Sequence, residues 1–293
     1  MIRALIVGRH GQVAHQLLAQ AGSDMDVTAL GRPELDLARA NSVLEAARRL
    51  APDIIINAAA YTAVDRAEAE PKACYAINRD GAAAAARAAA EIGVPFLHLS
   101  TDFIFDGAQA APYGEEDAPH PLSVYGASKW AGEQAVRAAH PEAVIVRLCW
   151  VYSAWGHNFA RTMLRLAAER QEIGVVADQW GRPTAAEDIA PALWHLARGM
   201  VAQPPPHYVY HLAASGMASW ADFAQAIMAA SHAAGGPSAE IRRITTRDYP
   251  TPARRPGSAI LDCTRLERDW SLTLPDWRLS CARIVPQMLA GTD

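Results

Sequence analysis

Apolar and polar positions fall in blocks along the first half of the chain, and the period of each block changes from strand-like to helix-like and back. Residues 3–7 form a short apolar run that predicts a strand, and residues 11–21 carry apolar side chains at helical spacing. The succession repeats with a strand at 27–30, a helix at 42–50 and a strand at 53–57. The consecutive Ile54, Ile55 and Ile56 suit a strand buried on both faces. Residues 71–92 predict one long helix, ended by Gly93 and Pro95, whose alanines between 82 and 90 read as close packing on a sheet. A strand at 96–99, a Pro/Gly-rich loop at 106–121, a helix carrying Tyr125 and a strand at 144–148 complete the pattern.

Repeated βα units predict an α/β fold with a doubly wound parallel sheet of the Rossmann type. The pattern loosens after about residue 150. Helices are expected at 159–170, 186–198, 219–230 and 277–289, a short strand at 173–176, and a stiff connector at Gln203-Pro204-Pro205-Pro206. Residues 1–150 are therefore expected to form a dinucleotide-binding domain. Residues 151–293 are expected to form a smaller substrate-binding domain, its segments partly interleaved with the first.

Composition narrows the function classes. In 293 residues, 51% hydrophobic content supplies a sizeable core, while a net charge of −4 leaves no footprint for nucleic acid or an anionic membrane. Cys74, Cys149, Cys263 and Cys281 are scattered without ligand spacing, so reduced and mostly buried thiols are expected. Residues 1–3 run straight into the first strand without a signal peptide, and no apolar stretch reaches the ~20 residues of a membrane helix. A soluble, cytoplasmic protein is expected.

The candidate chemistry centres on Tyr125 and Lys129, four apart on one helix and so on one face. A neighbouring ammonium is expected to lower the phenol's pKa and let Tyr125 protonate a carbonyl oxygen. Gly8-Arg9-His10-Gly11-Gln12-Val13-Ala14 follows the first strand and opens the first helix, as a pyrophosphate-binding turn does. The second strand ends at Leu30-Gly31-Arg32 with no acid for a ribose hydroxyl. Arg32, with Arg9, is placed for a 2′-phosphate, favouring NADPH over NADH. Asp36 and Leu37 are expected beside the adenine, and Ala59, Ala60 and Tyr61 on the nicotinamide side. The strand ending Leu99-Ser100-Thr101-Asp102 is expected to deliver hydroxyls into the cleft, with Thr101 bonding the carbonyl that Tyr125 protonates. Lys129 is expected to hold the nicotinamide ribose. His98 on an apolar strand reads as a satisfied core histidine, and Arg242-Arg243 as exposed.

These stretches, with Asn57 to Asp65, Ser100 to Gly107, Arg147 to Tyr152, Asp178 to Thr184, Arg255-Pro256 and Leu274 to Arg278, resemble the dTDP-4-dehydrorhamnose reductase family of extended short-chain dehydrogenase/reductases. The resemblance spans nearly the whole chain. It implies reduction of the keto group of a dTDP-linked 4-dehydro-6-deoxyhexose by NAD(P)H, with Thr101, Tyr125 and Lys129 catalytic. It implies further that Asp102 and Trp150 line the sugar site, with Asn158 and Arg255 as looser substrate contacts. Some members of the family dimerise through a magnesium ion held by acidic side chains. Here His15-Gln16 stands where an acid is needed on the first helix and only Glu187 survives in the second acidic region, so no metal and a monomer or metal-free homodimer are expected. Cys149 stands where Ser or Thr is commoner. Two other readings stay open: a sugar-nucleotide epimerase or dehydratase on the same fold, against which Phe103 replaces the acid an elimination needs, and a non-catalytic NADP-binding regulatory subunit.

Overall fold

The structure, a computed structural model, describes residues 1–39 and 41–291. In the first half the strands are β1 (Ile2–Val7), β2 (Met25–Leu30), β3 (Ile54–Asn57), β4 (Phe96–Thr101) and β5 (Val144–Leu148). Between them run α1 (Gln12–Ala19), α2 (Ser42–Leu50), α3 (Val64–Ala67), α4 (Pro71–Tyr75), α5 (Ala82–Ile92) and α6 (Val124–Ala139). The second half adds β6 (Val151–Tyr152), β7 (Glu172–Val176), β8 (Trp180–Gly181), β9 (Thr184–Ala185), β10 (Val209–Leu212), β11 (Ala218–Ser219) and β12 (Glu240–Ile244). Its helices are α7 (Phe159–Glu169), α8 (Ala186–Ala202), α9 (Trp220–Ala233), α10 (Thr264–Trp270) and α11 (Trp277–Leu289).

The main sheet runs β2-β1-β3-β4-β5-β10, with every neighbouring pair parallel. Alternation along β1 sends Ala4 and Ile6 to the face covered by α1 and α8, and Leu5 and Val7 to the face covered by α2 and α5. Strand order reverses between β1 and β3, and such a switch point opens a crevice at the carboxyl ends of the strands. Both β10 and α8 come from the second half, so the later chain completes the sheet and one of its faces. A second core packs Met163, Ile173, Phe223, Ile227, Trp277 and Ile284 among α7, β7, α9 and α11. Among the described residues, no helix is long and apolar enough to cross a membrane.

The long helix expected over 71–92 is not uniform. Between α4 and α5, residues Ala76–Gly81 widen into a π-type turn. The widening carries Asn78 inward, where its amide accepts from Tyr61 N at 2.8 Å, donates to Tyr61 O at 3.1 Å and donates to Ser128 Oγ at 2.9 Å. Tertiary hydrogen bonding to the loop after β3 and to α6 thus overrides a strong helical propensity. Within α5 the alanines behave as expected: Ala82 to Ala86, Ala88 and Ala89 are all buried.

Candidate active site

The carboxyl ends of β1, β3, β4 and β5 open into two adjoining cavities that share His10, Gly11, Ala58, Ala60 and Thr62. The smaller, of about 340 Å³, is lined by Gly8, Arg9, Gly11, Arg32, Asp36, Leu37, Ala59 and Ala60 among others. Gly8 has a φ of 110°, and a Cβ there would lie 2.8 Å from Ala59 N, so the turn needs glycine. Gly11 caps α1 without a side-chain bond and no acid lies in the first turn, which leaves the helix N-terminus suited to an anion. Arg9 makes an exposed ion pair with Glu34 at 3.5 Å, whereas Arg32 has no ion pair or side-chain hydrogen bond among the described residues. These donors and the cradle fit a phosphorylated dinucleotide.

The larger cavity, of about 540 Å³, brings together Gln12, Val13, Leu99, Thr101, Asp102, Tyr125, Lys129, Trp150, Asn158 and Arg255. Tyr61, expected on the nicotinamide side, lines neither cavity. Its hydroxyl donates to Glu70 at 2.7 Å and accepts from Arg66 at 2.9 Å, so the ring is turned toward α3 and α4.

Close backbone approach sets α6 against the strand ends. A Cβ on Gly126 would fall 2.2 Å from Phe103 O, and one on Gly132 would fall 2.1 Å from Asn78 O. Ser123 caps the helix by accepting from Gly126 N at 3.1 Å, which starts it one residue before Tyr125. Lys129 is almost wholly buried; its ammonium donates to Leu99 O at 2.7 Å and lies 3.4 Å from His98 Nε2. Burial lowers its pKa to about 8, with Glu133 and Cys74 opposing the shift. His98, also fully buried, is held far below the usual imidazole range by desolvation and then by the Lys129 charge. Its Nδ1 lies 3.0 Å from the Asn57 amide. His98 is thus a satisfied core residue that also backs the lysine.

The electrostatics of Tyr125 differ from the expectation. Burial raises the phenol above its ordinary range, Asp102 and Cys74 push it further, and only Thr101 pulls it down. The Lys129 ammonium is directed at the β4 carbonyl, and burial dominates the phenol's shift. Tyr125 is therefore a fully protonated hydroxyl at neutral pH.

Ser100 lines the larger cavity, but its hydroxyl is engaged within the chain. It donates to Glu133 at 2.5 Å, and Glu133 is paired with Arg147 at 2.8 Å, both side chains being buried. Thr101 donates to Asp102 Oδ1 at 3.0 Å and accepts from Phe103 N at 3.2 Å. Asp102 also accepts from the Cys149 thiol at 3.1 Å, and its pKa is raised to about 6 by burial against these bonds. Phe103 meets Tyr125 edge-on, with ring centroids 5.5 Å apart.

Two residues expected at the substrate are also engaged within the chain. Asn158 caps α7 by accepting from Arg161 N at 3.1 Å, and its amide donates to Gln12 Oε1 at 2.9 Å and Ser153 O at 2.8 Å. It therefore ties the glycine turn to the second half of the chain. Arg255 is paired with Asp65 at 3.0 Å on the cavity rim. Away from the cleft, Arg242 pairs with Glu172 and Arg243 with Asp222.

The magnesium site that the resemblance implies does not fit these residues. Glu187 Oε1 accepts from Gln16 Nε2 at 3.1 Å, Ser153 Oγ at 2.8 Å and Ala154 N at 2.8 Å, so an amide donor occupies the place of a second oxygen ligand. Among the described residues, no group of three or more His, Cys, Asp or Glu side chains is placed to hold a metal ion.

The model of the RmlD substrate binding domain matches residues 2–290. The chain belongs to that family. A dTDP-4-dehydrorhamnose reductase of Sinorhizobium fredii is 47% identical, covering 100% of this chain and 100% of that protein. The dTDP-4-dehydrorhamnose reductase of Escherichia coli K12 is 40% identical, with 98% of each chain covered. A crystal structure of dTDP-4-dehydrorhamnose reductase from Bacillus anthracis in complex with NADP superposes with a TM-score of 0.91 at 34% identity, covering 97% of this chain and 98% of that one.

Sequence reasoning missed several side chains of this RmlD-family cleft, chiefly Trp155, His157 and Trp220 in the larger cavity. The Ser219-x-x-Asp222 capping signal marks where α9 begins. Nothing local indicates that its first residue reaches a cleft built by β4 and α6.

Proposed function

We propose that the chain reduces the 4-keto group of a dTDP-linked 4-dehydro-6-deoxyhexose, using NADPH in preference to NADH. The observation that carries the reading is one cleft joining a phosphate-binding glycine turn to a buried Tyr125, Thr101 and Lys129. The Arg32 guanidinium, unpaired among the described residues and lining the smaller cavity, suits a 2′-phosphate. When bound, the reduced cofactor supplies the hydride. Tyr125, kept protonated by burial, gives its hydroxyl proton to the ketone oxygen, and the resulting phenolate is reprotonated from solvent. Thr101 and Asp102 orient the same oxygen and the neighbouring hydroxyl, while Lys129 holds the nicotinamide ribose. Phe103 beside Tyr125 has no proton to transfer, which favours reduction over elimination. The reading includes a cytoplasmic location and a monomer or a homodimer without a bridging metal.

The test is oxidation of NADPH, followed by absorbance, against dTDP- and GDP-linked 4-keto sugars. Turnover is expected with the dTDP-linked 6-deoxy sugar. Inertness towards all of them with cofactor still bound would favour the regulatory reading instead.

A pH dependence follows from Lys129. Its ammonium is complete well below about pH 8 and disappears as the pH rises through that value. The charge that supports ribose binding is lost on the alkaline side. Turnover is therefore expected to fall above about pH 8, and a profile flat to pH 10 would remove Lys129 from the mechanism.

A further inference from the structure

Trp150 stands out by its backbone: its φ is 42°, a left-handed conformation that a bulky residue adopts only when its surroundings impose it. Three neighbours do so. Trp150 O accepts from Thr184 N at 3.1 Å, fixing the carbonyl side. Gly181 lets the indole approach closely, since a Cβ there would sit 2.4 Å from Trp150 Cε2. Trp220 stacks on the indole with centroids 3.5 Å apart and planes 7° from parallel.

Trp220 is itself rigidly placed. It is the first residue of α9, directly after the N-cap Ser219 and within the Ser219–Asp222 capping box, and Arg243 clasps Asp222 at 2.8 Å. Ser219 pairs in turn with Trp180 in the small β11–β8 ribbon. Phe159 packs on Trp220 at 4.6 Å, and the preceding Asn158 is bonded to Gln12 in the glycine turn. Trp150 and Trp220 both line the cavity that contains Thr101, Asp102 and Tyr125.

We infer that Trp220 is a positioning residue for the hexose: by stacking, it holds the Trp150 indole in its strained pose as a flat apolar wall beside the reacting carbon. The inference rests on the reduction of a sugar nucleotide proposed above and assigns that site a residue contributed by α9. Stacked indoles present a wide surface at little cost in side-chain freedom, which suits a ring with one apolar face. Loss of the stack frees Trp150 to leave its left-handed backbone, and the wall moves away from the sugar while the nucleotide contacts stay.

The test compares binding of dTDP and of a dTDP-linked 6-deoxyhexose by calorimetry, with the enzyme saturated by NADP⁺. In Trp220→Leu, which keeps apolar volume but offers no flat face, the sugar nucleotide is expected to bind about tenfold more weakly, dTDP alone staying within about twofold. Trp220→Phe is expected to restore most of the loss. Equal weakening of both ligands would show a merely structural role, and unchanged sugar-nucleotide binding would remove the role altogether; either overturns the inference. Wild-type binding of the sugar nucleotide without turnover of any 4-keto form would sink the reductase reading while leaving the Trp220 effect measurable.

Discussion

Tyr125→Phe is expected to lower turnover by roughly two to four orders of magnitude while leaving NADPH affinity within about threefold of wild type. The substitution removes one oxygen and nothing else. The ring keeps its edge contact with Phe103 and its place beside Ala67 and Cys74, so fold and cleft are retained. On the proposed mechanism, what is lost is the proton delivered to the ketone oxygen as hydride arrives, and water is a poor substitute for a positioned acid. Another buried acid at the site is Asp102, whose carboxyl is raised by burial to about 6. If it can replace the phenol, residual turnover in the variant will climb as the pH falls below that value. Near-wild-type rates at neutral pH would show that Tyr125 is not the donor.

Arg147→Leu is expected to destabilise the fold by about 3–5 kcal/mol, read from urea unfolding midpoints at constant slope. Arg147 on β5 bonds Glu133 on α6 through both Nε and a terminal nitrogen, and also donates to Glu115 O at 3.2 Å. Removing it leaves a carboxylate buried without its cation. A double variant that also changes Glu133 to Leu should recover part of the loss, although Ser100 and Glu115 O would still lack partners. The pair ties β4, α6 and β5 together behind Thr101 and Lys129, so turnover is expected to fall as well. A change in stability below about 1 kcal/mol would mean that the buried pair does little for the fold.

Much of this was readable from residue order because the signals were local. Apolar blocks marked β1, β3 and β5, since a strand buried on both faces is largely apolar. The glycine turn and the four-residue Tyr–Lys spacing depend only on neighbouring dihedrals and helical period, and the structure opens both into one cleft. The π-type turn at Ala76–Gly81 was hidden because its cause, the bonds from Asn78 to Tyr61 and Ser128, lies in distant segments. For the same reason the turning of Tyr61 toward Glu70 and of Ser100 toward Glu133 could not be read from their positions in the chain.

Residue order by itself determined the parallel sheet, the N-terminal glycine turn and the helix that carries a phenol and an ammonium on one side. Those features follow from hydrophobic period, chain chirality and the absence of a side chain on glycine, which act over a few residues. Only the tertiary structure decided the protonation of Tyr125, the direction of the Lys129 ammonium, the engagement of Asn158 and Arg255 by other side chains, and the arrival of Trp220 beside Trp150. Desolvation and long-range contact are properties of the packed interior, and no local pattern of residues encodes them.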